Sequence, residues 1–213
     1  MKFKRLKRKP SMYLRKMPKP ILVALLFSVL GFSSVGHANI SESEKKLGIS
    51  SSSAAYSPLS FSQISERYID EPKVVGEAQL KVMFWKIYDA KLAAPFGEWK
   101  KDSPFVLSLT YLRDFYGEEI ASRSVDEMRD IGYSDEVLLA KWYEQMRLVF
   151  PDVKEGENIT GVMDNEQYTH FYYDGNLIAS IKDEAFGQAF FDIWLNEKTS
   201  EPKMRQQLLG LKK

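Results

Sequence analysis

Residues 168–210 read YTHFYYDGNLIASIKDEAFGQAFFDIWLNEKTSEPKMRQQLLG. Asp174-Gly175 stands between two short runs of strand-forming residues, which is a strong hairpin signal. Apolar residues at helical spacing follow from about Asp183 to Leu195. Thr199–Pro202 is typical of the start of one more helix, and Gly210 is typical of its end. The segment therefore predicts a hairpin and two helices in immediate succession.

The region upstream of this segment supplies more strands and two further helices. The predicted elements are a short helix or lead-in strand over Phe61–Glu71, two strands or one bent strand over Val74–Pro95 with a break near Trp85-Lys86, a strand over Pro104–Phe115, a helix over Glu118–Ile131, a helix from its N-cap Ser134 to about Phe150, and strands over Asn158–Met163, Gln167–Tyr173 and Asn176–Ile181. No Gly-rich strand-to-helix turn and no βαβ alternation occurs. The order predicts an α+β fold with an antiparallel sheet and helices packed on one face.

The N-terminal region has a different character. Residues 1–38 hold nine Lys and Arg and no Asp or Glu, and an apolar run over Ile21–Phe32 precedes the small residues Gly36 and Ala38. This order is the layout of a secretory signal peptide, so we expect cleavage after about Ala38 and a periplasmic location. The apolar run is shorter than the roughly 20 residues that span a bilayer, and an uncleaved anchor is the alternative.

Two further expectations concern the same region. Residues 39–60 are rich in Ser and lack apolar periodicity, which predicts a flexible linker. The basic segment is long for a leader, and a start at Met12 or Met17 is the alternative to Met1. Contact with a membrane is expected only through the signal sequence.

Composition excludes several classes of site. Residues 39–213 hold 21 basic and 29 acidic residues, a net charge of −8, which argues against nucleic-acid binding. There is no Cys, and His170 is the one His of this part, so no zinc site can be built from His and Cys. A Ser-His-Asp triad would need His170, which lies in a predicted strand without a nucleophile elbow; we interpret it as a structural or surface histidine. No phosphate-binding or dinucleotide-binding loop is present, and we expect no metal and no cofactor. A calcium site built from Asp and Glu alone stays open as an alternative, although no EF-hand spacing occurs.

Aromatic residues suggest either a ligand pocket or an ordinary core, and both interpretations stay open. The aromatic candidates are Phe84, Trp85, Tyr88, Phe105, Tyr111, Trp142, Tyr168 and Tyr172. Arg113 follows Tyr111 on the same strand face, where it would hold a ligand carboxylate; the alternative is a pair with Asp114 or a helix carboxylate at the strand end. The candidate ligand-binding residues are Tyr88, Tyr111, Arg113 and Trp142, and no catalytic residue is predicted.

Several of these segments together resemble the bacterial chalcone isomerase-like family. The resemblance rests on GEAQLKVMFWKIYDAKLA (76–93), FVLSLTYLRD (105–114), VFPDVKEGENITG (149–161), FYYDGNLIASI (171–181) and FGQAFFDIWL (186–195) with LLG (208–210). It implies an open-faced β-sandwich, a bent antiparallel sheet with a helical layer on one face, formed by a domain over residues 61–213.

The resemblance implies two functions, cyclisation of chalcones and non-catalytic binding of fatty acids. Both place an Arg in a Gly-x-Arg setting, and Ala78 occupies that position here. The enzymes add a Thr, whose position falls on Met83. Lys81 is the nearest cation in sequence. Ala and Met cannot stabilise a developing enolate, so the resemblance argues against catalysis.

Three hypotheses follow from the sequence. The first is a non-catalytic exported protein that binds a small amphipathic ligand, a fatty acid or an aromatic acid, between sheet and helices. The second is an isomerase or lyase for a hydrophobic carbonyl compound that uses Tyr88, Tyr111 and Arg113. The third is a periplasmic accessory protein that acts through protein contacts.

Overall fold

A computed structural model of the chain describes residues 57–211. The signal peptide expected over 1–38, and the linker expected over 39–60 up to residue 56, lie outside the described residues. Among residues 57–211, every helix is too short or too polar to cross a membrane.

The described residues form five α-helices and one six-stranded sheet. In chain order these are α1 Phe61–Tyr68, β1 Pro72–Val82, β2 Trp85–Pro95, β3 Phe105–Tyr111, α2 Gly117–Ile131, α3 Glu136–Val149, β4 Asn158–Met163, β5 Thr169–Tyr173, β6 Asn176–Ile181, α4 Glu184–Leu195 and α5 Pro202–Leu208. The strands lie side by side in sequence order, and every neighbouring pair is antiparallel. The predicted α+β fold with an open antiparallel sheet is confirmed.

The main core lies between one sheet face and the helices α2–α5. Strand β3 shows how the sequence selects this face, because side chains alternate between the two faces of a strand. Phe105, Leu107, Leu109 and Tyr111 all belong to this core and are at most 6% exposed. Every second side chain of β3 therefore lies in the main core.

The opposite sheet face is partly covered by α1, in addition to the predicted layer of helices. A smaller core joins Ile64 and Ile69 to Val106, Val162 and Tyr172 of the sheet. For Phe61–Glu71 the sequence predicted either a short helix or a strand, and the structure shows a helix. A capping box stabilises its start, since the Ser60 side chain accepts from the Gln63 amide and the Gln63 side chain accepts from the Ser60 amide.

The Asp174-Gly175 turn fixes where the chain enters α1. Both turn residues have positive φ, 43° and 76°, as a two-residue hairpin turn requires. The Leu59 amide donates to the Gly175 carbonyl oxygen at 3.0 Å. A Cβ on Gly175 would lie 2.3 Å from the Leu59 carbonyl oxygen, so only glycine permits this approach.

Two local predictions need correction. The break between β1 and β2 lies at Met83-Phe84 rather than at Trp85-Lys86. The N-cap of α3 is Asp135 rather than Ser134, because the Asp135 carboxylate accepts from the second and third amides of the helix, those of Val137 and Leu138. A side chain one residue earlier does not occupy the cap position from which those amides are reached.

Candidate functional site

An open groove of about 840 Å³ lies on the sheet face that α1 partly covers. Its apolar wall comes from Leu59, Phe61 and Ile64. Strands β1–β4, the Asp174-Gly175 turn and Gln207 of α5 supply the remaining, mostly polar lining. Ligand pockets in proteins occupy roughly 300–1,000 Å³, so the groove is large enough for a small molecule.

The floor of the groove is a hydrogen-bonded network on β3 and β4. Asn158 donates through Nδ2 to Ser108 Oγ at 2.6 Å and to Thr110 Oγ1 at 3.1 Å. Thr160 donates to Asn158 Oδ1 at 2.6 Å, and its oxygen lies 2.9 Å from that of Ser108. Ser108 therefore donates to Thr160, and among the described residues Thr110 keeps its own hydroxyl hydrogen available for an acceptor in the groove.

Charged side chains from β1 and β2 line the side of the groove. Lys91 and Glu77 face each other across the two strands with Nζ and Oε1 2.8 Å apart. Lys91 Nζ also lies 5.7 Å from the centroid of the Phe61 ring. Because the Lys91–Glu77 pair is largely exposed, its strength is small. A ligand carboxylate can replace Glu77 at Lys91 at little cost.

The space between the sheet and the main helix layer is filled by aromatic rings. The centroid of the Phe171 ring lies 5.1 Å from that of Phe150 and 5.0 Å from that of Phe190. The centroids of the Phe186 and Phe190 rings lie 5.8 Å apart. All four side chains are at most 6% exposed. The region where the sequence hypothesis places the ligand is therefore occupied by side chains.

Tyr88 and Tyr111 lie next to each other, as the candidate site requires. They are cross-strand partners on β2 and β3 with ring centroids 6.1 Å apart. Trp194 Nε1 donates to the Tyr88 hydroxyl at 3.0 Å. Burial raises the pKa of both phenols well above the usual value, so both are neutral near neutral pH.

Trp142 lies away from the two tyrosines. It is 1% exposed and packs on Phe186, and its Nε1 donates to Asp183 Oδ2 at 3.4 Å. Phe186 and Trp194 are eight residues apart on α4, which corresponds to about 12 Å along the helix. Trp142 is therefore a core residue at the opposite end of α4 from Tyr88.

Arg113 is also apart from the tyrosine pair, because β3 ends at Tyr111 and strand alternation no longer applies. Its guanidinium lies 4.1 Å from the centroid of the Trp85 ring. The alternative partner Asp114 accepts instead from the Glu155 amide at 2.9 Å. The structure thus gathers two of the four candidate residues and separates the other two.

The positions that the resemblance assigns to Arg and Thr differ in their surroundings. Ala78 is 8% exposed, belongs to the main core and pairs with Ala90. Met83 is 84% exposed at the tip of the β1–β2 hairpin. Met83, at the position that the resemblance assigns to Thr, therefore points away from the interior. Ala78, at the position assigned to Arg, is part of the apolar interior.

Sequence reasoning missed a buried carboxylate near Tyr88. Glu127 is 6% exposed, pairs with Arg123 through Oε1, and its Oε2 has no hydrogen-bond partner among the described residues. Burial and the nearby Glu127 raise the pKa of Glu201. The available signal was the helical phase, since residue 127 lies beside Met128 on the buried side of α2.

The polar floor of the groove was missed as a site although its pattern was visible. Ser108 and Thr110 alternate with Leu107 and Leu109 on β3. Two successive polar residues on one face of a buried strand indicate that the face is not an ordinary core. Only the pairing of β3 with β4 shows that a second pair of polar side chains, on β4, lies beside them.

His170 lies in a line of polar side chains outside the groove. Its Nε2 is 2.7 Å from Asp164 Oδ2, its Nδ1 is 2.7 Å from Ser180 Oγ, and its ring stacks on Tyr68 with centroids 5.0 Å apart. Ser180 lies within β6 rather than at a sharp turn. Among residues 57–211, no group of three or more acidic or His side chains is placed to hold a metal ion.

Three comparisons place the chain among known proteins. The family model described as chalcone isomerase-like matches residues 101–210. An uncharacterized protein of Haemophilus influenzae is 24% identical over 137 residues, which cover 64% of this chain and 67% of that protein.

The third comparison concerns a solved structure. The crystal structure of an Arabidopsis thaliana fatty-acid binding protein superimposes with a TM-score of 0.52 and 12% identity, over 66% of this chain and 87% of the plant chain. At this identity the match shows the fold. With the family model covering more than half of its residues, the chain belongs to the chalcone isomerase-like family.

Proposed function

We propose that this protein is an exported, non-catalytic binding protein for a small amphipathic acid, and that the groove under α1 is its binding site. The observation that carries the proposal is the groove itself, with an apolar wall on one side and hydrogen-bonding groups on its floor. The fold shared with a plant fatty-acid binding protein supports the ligand class.

The groove suits this ligand better than the interior between sheet and helices. Phe150, Phe171, Phe186 and Phe190 fill that interior, and a ligand there would have to displace closely packed rings. The groove is already open, so binding needs no such rearrangement.

The groove places apolar surface next to a cation. Phe61 lines the apolar wall, and Lys91 Nζ lies 5.7 Å from the centroid of its ring. Lys91 provides the cation for a carboxylate, and Thr110 provides a free hydroxyl donor. An acid with a short or ring-shaped apolar part is the ligand class that uses all three groups.

Isothermal titration calorimetry with 4-hydroxycinnamic acid and dodecanoic acid tests this assignment. Phe61→Ala and Lys91→Gln should each weaken binding by about tenfold, because each removes one ligand contact worth about 1–2 kcal/mol. Phe96→Ala and Lys73→Gln are matched controls, since both side chains are exposed and lie outside the groove lining. Both controls should bind as the unmodified protein does.

Two results would contradict the proposal in different ways. If affinity is unchanged in Phe61→Ala and Lys91→Gln but binding is lost in Tyr88→Phe, the ligand lies between the sheet and the helices. Absence of binding for both acids, and for any small molecule retained in native mass spectra of protein from its own host, would remove the binding function.

Export is tested separately. The expected processed protein begins at about Asn39 and is found in the periplasmic fraction. N-terminal sequencing of the fractionated protein measures this, and an intact leader would favour the uncleaved anchor.

A further inference from the structure

The tip of the β1–β2 hairpin exposes three consecutive large apolar side chains. Met83 is 84% exposed, Phe84 93% and Trp85 49%. The pair Val82–Trp85 closes the hairpin, so Met83 and Phe84 form its outermost turn. Exposed apolar residues scattered singly are ordinary, but three in a row at a protruding tip indicate a contact surface.

Cations surround this tip. Lys81 and Lys86 face each other as direct cross-strand partners one rung behind Trp85, and both are exposed. Arg113 lies over the Trp85 ring at 4.1 Å. Residues 80–88, LKVMFWKIY, contain no Asp or Glu. Like charges directly opposite each other on two strands destabilise the pair, so the opposed lysines need an anion to offset their repulsion.

The requirements of the turn do not explain these residues. Met83 has φ 54°, in the left-handed region that favours Gly, Asn or Asp in a tight hairpin turn. Asp174-Gly175, the other tight turn of this sheet end, has the expected chemistry. The geometry of the β1–β2 turn therefore gives no folding reason for Met and Phe at these two positions.

We propose that the β1–β2 hairpin tip is a membrane-docking element that inserts Met83, Phe84 and Trp85 into the headgroup region of a bilayer containing anionic lipids. The proposal goes beyond the ligand-binding function and is independent of it. It also differs from the expectation that only the signal sequence contacts a membrane.

The dimensions of the hairpin match a shallow insertion. A strand advances about 3.4 Å per residue, so Lys81 and Lys86 lie about 7 Å behind the outermost residues. Interfacial elements bury their apolar side chains about 5–10 Å deep, and this depth puts both ammonium groups at the level of the lipid phosphates. Trp is also a residue that favours the membrane interface.

A lipid surface fits the tip better than a protein partner does. A stable protein interface buries about 800 Å² on each partner. Three side chains at the tip of a narrow hairpin offer only part of that area. A bilayer needs only the apolar tip and the adjacent cations, each of which strengthens attraction to anionic lipid.

The absence of Cys allows a site-specific test in the full-length protein as the producing cell processes it. Met83→Cys labelled with an environment-sensitive fluorophore is compared with the same label at Val137→Cys. Both side chains are 84% exposed, and Val137 lies on α3. The probes are vesicles of phosphatidylglycerol with phosphatidylethanolamine, and vesicles of phosphatidylcholine alone.

The label at residue 83 should shift to shorter wavelength on the anionic vesicles, and the label at residue 137 should not. Phe84→Ser should weaken vesicle partition measured through this label by about tenfold, because a large apolar side chain leaves the lipid. The double variant Lys81→Ser, Lys86→Ser should weaken partition by roughly tenfold on anionic vesicles only.

Three outcomes would overturn the proposal. They are no shift at residue 83, an equal shift at both labelled positions, and partition that Phe84→Ser and the double Lys variant leave unchanged. Equal shifts at both positions would mean that another part of the chain, such as the leader, holds the protein on the vesicle. Since all the altered side chains are exposed, near-ultraviolet circular dichroism should confirm that the variants fold.

Discussion

The two faces of the sheet are built from the same strands and differ in almost every other respect. On the face covered by α2–α5, closely packed aromatic rings surround Phe190. On the face partly covered by α1, hydroxyl and amide groups of β3 and β4 form the floor of an open groove. One side stabilises the fold, and the other carries the hydrogen-bonding groups that we propose bind a ligand.

The alternation of side chains along β3 produces this difference. Leu107 and Leu109 point to the packed face, while Ser108 and Thr110 point to the groove. Ser108 and Thr160 of this network are already buried, whereas Asn158 and Thr110 are only partly buried. Covering these two as well would add little stability compared with apolar packing. The eight-residue helix α1 covers only one side of that face and leaves the polar part open.

The largest effect on this comparison is expected from Phe190→Ala. Removal of this ring from the centre of the packed face should lower the free energy of unfolding by about 3–5 kcal/mol, because it leaves a cavity among rigid neighbours. Urea denaturation measures the change. Phe96→Ala, at an exposed position, should change stability by less than about 0.5 kcal/mol.

The same variant also tests whether the two faces are independent. Protein with Phe190→Ala that is still folded should bind the acid in the groove with unchanged affinity. If the folded Phe190→Ala variant loses binding, the packed face supplies part of the binding site.

An intermediate effect is expected at Asp183, which begins the helix that closes the packed face. Its carboxylate accepts from the Phe186 amide at 3.1 Å and from Lys141 and Trp142. Burial acts to raise its pKa, but these hydrogen bonds outweigh burial and lower the pKa below the ordinary value of 3.8. Asp183→Ala should cost about 1–2 kcal/mol in urea denaturation.

The lowered pKa fixes the direction of the pH dependence. Because the folded pKa lies below the unfolded one, the contribution of Asp183 is complete above the unfolded value and is lost as pH falls through the folded value. Asp183→Asn keeps a capping oxygen without the charge and serves as the control. Its stability difference from the unmodified protein should shrink as pH falls below about 4. A difference that grows instead would contradict this assignment.

The smallest effect on stability is expected from Ser108→Ala on the groove face. Asn158 keeps its bond to Thr110, and Thr160 keeps its bond to Asn158, so the cost should be about 0.5–1.5 kcal/mol. Because Ser108 is bonded within the network and the proposed ligand contacts are Phe61, Lys91 and Thr110, affinity for the acid should change little. A loss of stability as large as that of Phe190→Ala would mean that the network is part of the structural core.

Much of the fold followed from local signals. The hairpin around Asp174-Gly175 and the strands Asn158–Met163 and Asn176–Ile181 have the predicted bounds. These elements were predictable because turn chemistry and alternation act within a few residues.

Other features depend on geometry that neighbouring residues do not encode. Tyr88 and Tyr111 meet because the β2–β3 register pairs them. Arg113 stacks on Trp85 because β3 ends two residues earlier, and Trp142 lies at the far end of α4 from Tyr88. Spacing in the sequence alone could not predict which candidate residues lie together. Their positions depend on the strand register, on where β3 ends and on how the helices pack.

The sequence by itself determined the order of the elements, the antiparallel sheet and the family. The order of the elements and the antiparallel sheet depend on local patterns of turns, caps and alternating apolar residues, and the family follows from the resemblance of several segments taken in order. Only the tertiary structure decided where open volume lies, because that depends on how side chains distant in sequence fill space. The rings of α4 fill one side of the sheet, α1 leaves the other open, and the β1–β2 tip extends its apolar residues into solvent.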